Sequence, residues 1–138
     1  MTTKVIIVGG GMVGTSLASL LLEKGYDVKL IEMERNELPR LQRDLLAKTV
    51  VLGNGTDPDV LEAAGIRAAD VVAATTGEDE TNLVVTSLAR FAFNVPRTVA
   101  RVNNPKNAWM FTPVMGVDVE VNQADTMARL IIKETVIE

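Results

Sequence analysis

Two hydrophobic periods alternate along this chain. Short runs of consecutive apolar residues, rich in valine and isoleucine, are separated by stretches in which apolar residues return at helical spacing. The runs predict strands at Lys4–Val8, Val28–Ile31, Thr49–Leu52, Val71–Ala74, Thr98–Val102 and Val117–Val121. Unbroken apolar runs of this length fit strands buried on both faces, as in a parallel sheet. Strands that alternate with helical segments form right-handed βαβ units. The pattern therefore predicts an α/β fold: a Rossmann-like, doubly wound, parallel six-stranded sheet with helices on both faces. No linker, low-complexity stretch or internal repeat interrupts it, so residues 1–138 read as a single domain.

The intervening segments carry recognisable helix ends. The first helix follows the turn Gly9–Gly14, repeats Leu17, Leu20 and Leu21, and ends near Lys24 with Gly25 behind it. A second starts near Asn36 and buries Leu38, Leu41 and Leu45. Thr56-Asp57-Pro58 is a cap followed by a first-turn proline, opening a short third helix with Val60, Leu61 and Ala64 that stops at Gly65. The fourth begins near Asp79 and holds Leu83, Val84, Leu88 and Phe91; its acids Glu78, Asp79 and Glu80 suit the helix dipole. Asn104-Pro105 repeats the cap-and-proline signal for a helix closed by Gly116. The last helix, about residues 124–137, is apolar on two faces (Met127, Leu130 and Ile131; Ile132, Val136 and Ile137), which calls for a second partner surface. Trp109, Met110 and Phe111 add to that apolar surface.

The candidate chemistry lies where strands end. Gly9, Gly11 and Gly14 occupy the glycine places of G-x-G-x-x-G after the first strand. The first glycine permits the sharp turn, the second lets a pyrophosphate approach the backbone, and the third allows close helix–sheet packing. The helix N-terminus offers unpaired N–H groups to an anion. Glu32 ends the second strand 18 residues after Gly14, close to the roughly 20 expected for the acid that holds a ribose. A turn kept for packing alone gives the same glycines. Gly53-Asn54-Gly55-Thr56 and Thr75-Thr76-Gly77 end the third and fourth strands; each is an ordinary turn by itself, but all three loops converge on the crevice at the carboxyl ends of the sheet.

Composition narrows the functions. Of the 138 residues, 47% are hydrophobic, enough for one sizeable core. The net charge of −4 and the lack of a basic run argue against nucleic acid and anionic membrane as partners. The chain has no cysteine and no histidine, which removes disulfides, thiolate chemistry and the usual general base. No targeting signal is visible, and no apolar run approaches the roughly 18 residues of a membrane span. These features give an expectation of a soluble, cytoplasmic protein without direct membrane insertion.

The series G-G-G-M-V-G, L-I-E, G-N-G-T-D-P-D-V-L-E-A-A-G-I, A-T-T-G-E-D-E-T-N-L and A-R-V-N-N-P resembles the nucleotide-binding N-terminal domain of regulators of potassium conductance (RCK-N, also KTN or Trk-type). The likeness runs from Lys4 to the last helix, and its middle motifs are more specific than the glycine fingerprint. The resemblance implies a cytosolic regulatory domain, peripheral to the cell membrane, that gates an integral-membrane potassium channel or transporter. It implies binding of NAD(H) or an adenine nucleotide (AMP, ADP or ATP). It also implies homodimers, with the helix after the sixth strand crossing to the neighbour, and rings of eight domains. Carried over by residue, Gly9, Gly10, Gly11, Met12, Val13 and Gly14 match the phosphate turn, and Glu32 with Met33 the ribose acid and its neighbour. Asn54, Gly55 and Thr56 match the adenosine loop, and Thr75, Thr76, Gly77 and Asn82 the loop over the crevice. Arg101 matches a basic position facing phosphates or the dimer partner.

Two departures stand out. Many members continue into a second ligand-binding domain, whereas this sequence stops at Glu138. Met12 replaces the basic residue that some ATP-binding members place over the phosphates, which leans toward NAD(H) or a mono- or diphosphate. No metal site matches, and no catalytic residue is assigned. The alternatives are a small NAD-dependent oxidoreductase, or the cofactor half of one, and a scaffold using the fold only to assemble. A dehydrogenase must manage a proton. This chain lacks histidine, and its one tyrosine, Tyr26, falls at a helix-to-strand turn.

Overall fold

The computed structural model describes residues 2–135. Its six strands are β1 (Lys4–Val8), β2 (Asp27–Glu32), β3 (Val50–Leu52), β4 (Val71–Ala74), β5 (Arg97–Val102) and β6 (Val119–Asn122). They form one sheet in the order β3-β2-β1-β4-β5-β6, and every pairing is parallel. The doubly wound fold expected from the hydrophobic pattern is thus the fold observed. The helices are α1 (Met12–Glu23), α2 (Leu38–Asp44), α3 (Pro58–Ala63), α4 (Asp79–Ser87) and α5 (Gln123–Thr135).

Strand alternation sends neighbouring residues of β1 to opposite faces. Val5 and Ile7 pack with Ala18 of α1 and Leu41 of α2. Ile6 and Val8 pack with Leu61 of α3 and with Leu83 and Val85 of α4. These four side chains, Val5 to Val8, are all buried, while Lys4 at the start of β1 is exposed. Each contributes on the order of 1.5–3 kcal/mol of transfer free energy, which makes β1 the spine of both core layers.

β1 also sits at the topological switch. The chain winds outward from β1 through β2 to β3, then returns to β4 on the other side of β1. The connections leaving β1 and β4 therefore diverge and open a crevice beyond the carboxyl ends of those strands.

Several local expectations change in three dimensions. β6 begins at Val119 rather than Val117. Val117 is instead a buried loop residue whose N–H bonds Thr112 O, and Asp118 N–H is taken by Thr98 Oγ1. The single helix expected between Asn104 and Gly116 is two 3-10 segments, Pro105–Met110 and Pro113–Met115. Pro113 lacks the N–H that a continuous helix would need. Phe111 enters the core while Trp109 stays exposed. Leu38 is only half-buried, and Val84 and Phe91 face outward. After α4 the chain makes one π-helical turn, Leu88–Ala92. On α5, Met127, Leu130, Ile131 and Ile132 are all exposed; Val136 and Ile137 lie outside the described residues. No helix among the described residues is long and apolar enough to cross a membrane.

Candidate functional site: a crevice at the strand ends

Three strand-end loops and the end of β2 enclose a crevice of about 570 Å3. Gly9, Gly10 and Gly11 form one wall, Glu32 and Met33 the end of β2, Asn54, Gly55 and Thr56 a second wall, and Thr75, Thr76 and Gly77 a third. Arg101 reaches it from β5. Twelve of the residues singled out from sequence thus line one cavity. Met12, Val13, Gly14 and Asn82 lie outside the lining. Met12 is 85% exposed on the outer side of α1, where Val13, Ser16, Leu17 and Leu20 make a shallow apolar surface with it.

The glycines of the turn are not equivalent. Gly9 has φ +111°, and a Cβ there would stand 2.9 Å from Thr76 N. A Cβ on Gly14 would stand 1.8 Å from Gly9 O, inside the backbone. Gly14 therefore packs the turn and does not line the crevice. A Cβ on Gly11 would meet nothing within 4 Å, so Gly11 marks the open side of the turn.

Glu32 is fastened in place. Its Oε1 accepts from Gly10 N–H and its Oε2 from Glu34 N–H, both at 2.8 Å. The residue is buried yet lines the crevice. A carboxylate oxygen accepts two hydrogen bonds, so each oxygen retains capacity toward the cavity. Two neighbouring hydroxyls on a ligand would meet a pre-oriented double acceptor.

The other walls are equally braced. Asn54 Oδ1 accepts from Thr56 N–H at 2.9 Å and from Thr56 Oγ1 at 2.7 Å, closing an Asx turn. Gly55 lies against Val8, where a Cβ would approach Val8 Cγ1 to 2.4 Å. Thr75 Oγ1 reaches both Val8 O and Gly9 O at 3.1 Å, latching β4 to the end of β1.

Asn82 plays a different part from the one the motif suggests. It is 0% exposed. Its Oδ1 accepts from Thr76 N–H and Thr76 Oγ1, and its Nδ2 donates to Thr76 O and Arg101 O. Its amide is therefore spent on bracing the loop over the crevice, because a buried amide must satisfy both its donors and its acceptor.

Three features escaped the sequence reading. Glu78 and Thr81 also line the crevice. Arg40, in the first turn of α2, reaches back to the glycine turn: its guanidinium donates to Gly10 O and Thr15 Oγ1 and pairs with Glu37. A cation in a helix's first turn opposes the dipole, and that mismatch was the available signal. Asp79 is not a surface acid. It is 4% exposed, and it accepts from Asn103 N–H, Asn103 Nδ2, Asn104 N–H and Asn107 Nδ2. Asn103 Nδ2 also donates to Thr76 O, so the cluster continues into the crevice loop.

Burial alone would raise the Asp79 carboxyl. The hydrogen bonds from Asn103 N–H, Asn107, Asn104 and Asn103 Nδ2 outweigh it and hold the carboxyl below its ordinary 3.8. A carboxyl with a depressed folded-state value adds stability above the unfolded-state value, and that stability is lost as pH falls through the folded value. Urea unfolding of the wild type should therefore show a stability loss between neutral pH and about pH 3 that is smaller in Asp79→Asn. Equal losses in the two proteins would mean that Asp79 does not carry the linkage.

A sequence model of the TrkA-N domain family matches residues 5–123. The chain belongs to that family. This TrkA-N domain is 40% identical over 131 residues to the Trk system potassium uptake protein TrkA of Mycobacterium tuberculosis H37Rv, covering 93% of the chain and 57% of the relative. It is 44% identical over 124 residues to the TrkA homolog of Methanothermobacter thermautotrophicus, covering 90% and 56%. The chain thus spans a little over half the length of these relatives. Among solved structures, it is similar to the GsuK channel bound to NAD, at 28% identity and a TM-score of 0.77 over 96% of this chain and 24% of that one. It is similar to GsuK bound to ADP to the same degree, over 94% and 32%.

Proposed function

We propose that this TrkA-N domain binds NAD(H) or an adenine nucleotide in the crevice and serves as a cytosolic regulatory domain of a potassium uptake or conduction system. The observation that carries the reading is Glu32: a carboxylate pinned by two backbone amides, with free acceptor capacity, beside a glycine turn at the switch point of the sheet. Such a group suits the two hydroxyls of an adenosine ribose. The potassium link rests on the TrkA relatives, and the link to a channel on the similarity to GsuK. Regulation, in this reading, uses the difference in nucleotide affinity between two conformations rather than turnover. Met127, Leu130, Ile131 and Ile132, exposed together on α5, support a homodimer formed through that helix.

Calorimetric titration with NADH and NADPH tests the site. A 2′-phosphate beside the Glu32 carboxylate places like charges together, so NADPH should bind at least about tenfold more weakly, roughly 1.4 kcal/mol. Glu32→Ala should weaken NADH and narrow that gap. NADPH binding as tightly as NADH would refute the placement of Glu32. NADH recovered oxidised after the titration would favour an oxidoreductase over a sensor.

A further inference from the structure

The contacts of Arg40 define a role that the crevice lining does not reveal. Gly10 O is held from two sides: the Arg40 Nη2 donates to it, and Thr15 Oγ1 donates to it at 3.1 Å. Arg40 Nη1 in turn donates to Thr15 Oγ1 at 3.3 Å, closing a three-membered ring of contacts. Glu37 fixes the guanidinium from behind, with its Oε1 at 2.9 Å from Nε and 2.8 Å from Nη2. On the other side of the same residue, Gly10 N–H is committed to Glu32. Both polar groups of Gly10 are therefore locked.

We propose that Arg40 is a positioning residue for phosphate binding, holding the Gly10–Gly11 peptide so that Gly11 N–H is presented to the crevice. The inference rests on the nucleotide-binding reading above. No peptide in the described chain is cis, and a trans peptide points its C=O and N–H in opposite directions. With Gly10 O turned toward α2, Gly11 N–H is turned the other way, on the open side where a Cβ would meet nothing. Among the described residues this N–H makes no hydrogen bond. Glycine on both sides of the peptide leaves it little intrinsic preference. Released from Arg40, it can rotate and bring its carbonyl oxygen toward the anion instead of its donor. Arg40 does not line the crevice, so it acts through the backbone and touches no ligand.

The test compares ADP with adenosine, which shares the ribose contact with Glu32 but has no phosphate. Calorimetry on Arg40→Met should show ADP weakened about tenfold and adenosine changed by less than about twofold. Arg40→Lys keeps the charge but not the two-pronged grip, and should recover only part of the loss. Thr15→Val removes the second donor to Gly10 O and should weaken ADP in the same selective way. Unchanged ADP affinity in Arg40→Met would overturn the proposal, as would equal weakening of ADP and adenosine. Full recovery in Arg40→Lys would overturn it too, since charge alone would then suffice. If the wild-type chain bound none of ADP, adenosine and NADH, the nucleotide reading itself would fall, and if it bound NADH but not ADP the same comparison is made with NADH in place of ADP; wild-type binding with indifferent variants would remove only the role of Arg40.

Discussion

Gly14→Ala should lower the stability of this domain by about 3 kcal/mol or more, and the melting temperature by about 10 °C, even though alanine is the better helix former. The added Cβ would lie 1.8 Å from Gly9 O and 2.9 Å from Thr75 Oγ1. The first contact is with backbone, so no side-chain rotation relieves it. Either α1 lifts from the sheet or the end of β1 shifts. Lifting α1 loosens Ala18, which is fully buried against the sheet. Shifting β1 disturbs Thr75, whose hydroxyl spans Val8 O and Gly9 O. Helix propensity returns at most about 1 kcal/mol, well below the cost of overpacking joined to a broken latch. Thermal unfolding followed by circular dichroism decides the point. A melting temperature equal to the wild type would mean that the turn and α1 separate without cost.

Gly11→Val should do the opposite: on the proposed function it leaves the fold intact and reduces nucleotide affinity at least about a hundredfold, roughly 2.7 kcal/mol. Gly11 has φ −72° and ψ −166°, an ordinary extended backbone open to any residue. A Cβ there meets nothing within 4 Å, so the valine side chain projects into open space. That space is where a pyrophosphate would rest on the backbone. The cost in the free protein is confined to a poorer N-cap for α1, at most about 1 kcal/mol. Thermal melts should therefore move by only a few degrees, about 3 °C, while calorimetric heat with NADH or ADP disappears. Wild-type affinity in this variant would show that phosphate does not occupy the glycine turn. Read together, the two substitutions separate a glycine needed for packing from one needed for access, within four positions of the same motif.

The sheet was legible because burial on both faces leaves a strong mark. Val5 to Val8 are buried in two layers at once, and a strand so placed must be apolar throughout. Glu32 was legible for the opposite reason. A carboxylate closing an apolar strand is costly to bury without partners, and here Gly10 N–H and Glu34 N–H supply them. Caps were legible where a side chain bonds its own neighbourhood: Asp57 accepts from Asp59 N–H, and Asn104 from Lys106 N–H. The same signal at Asn104 did not reveal that Pro113 would divide the following segment into two 3-10 pieces.

The sequence by itself determined the α/β alternation, the glycine turn and the acid that closes the second strand, because each is encoded within a window of a few residues. Only the tertiary structure decided which of those residues face the crevice. Asn82 and Thr76 are near neighbours in sequence, yet the bond from Asn82 Nδ2 to Arg101 O that completes the brace spans 19 residues. Asp79 becomes a buried clamp only when Asn103, Asn104 and Asn107 arrive from beyond β5. Arg40 meets Gly10 across 30 residues because α1 and α2 pack on the same face of the sheet. Periodicity records the solvent that each residue avoids. It does not record which distant donor meets which distant acceptor, since that pairing is set by how the layers pack.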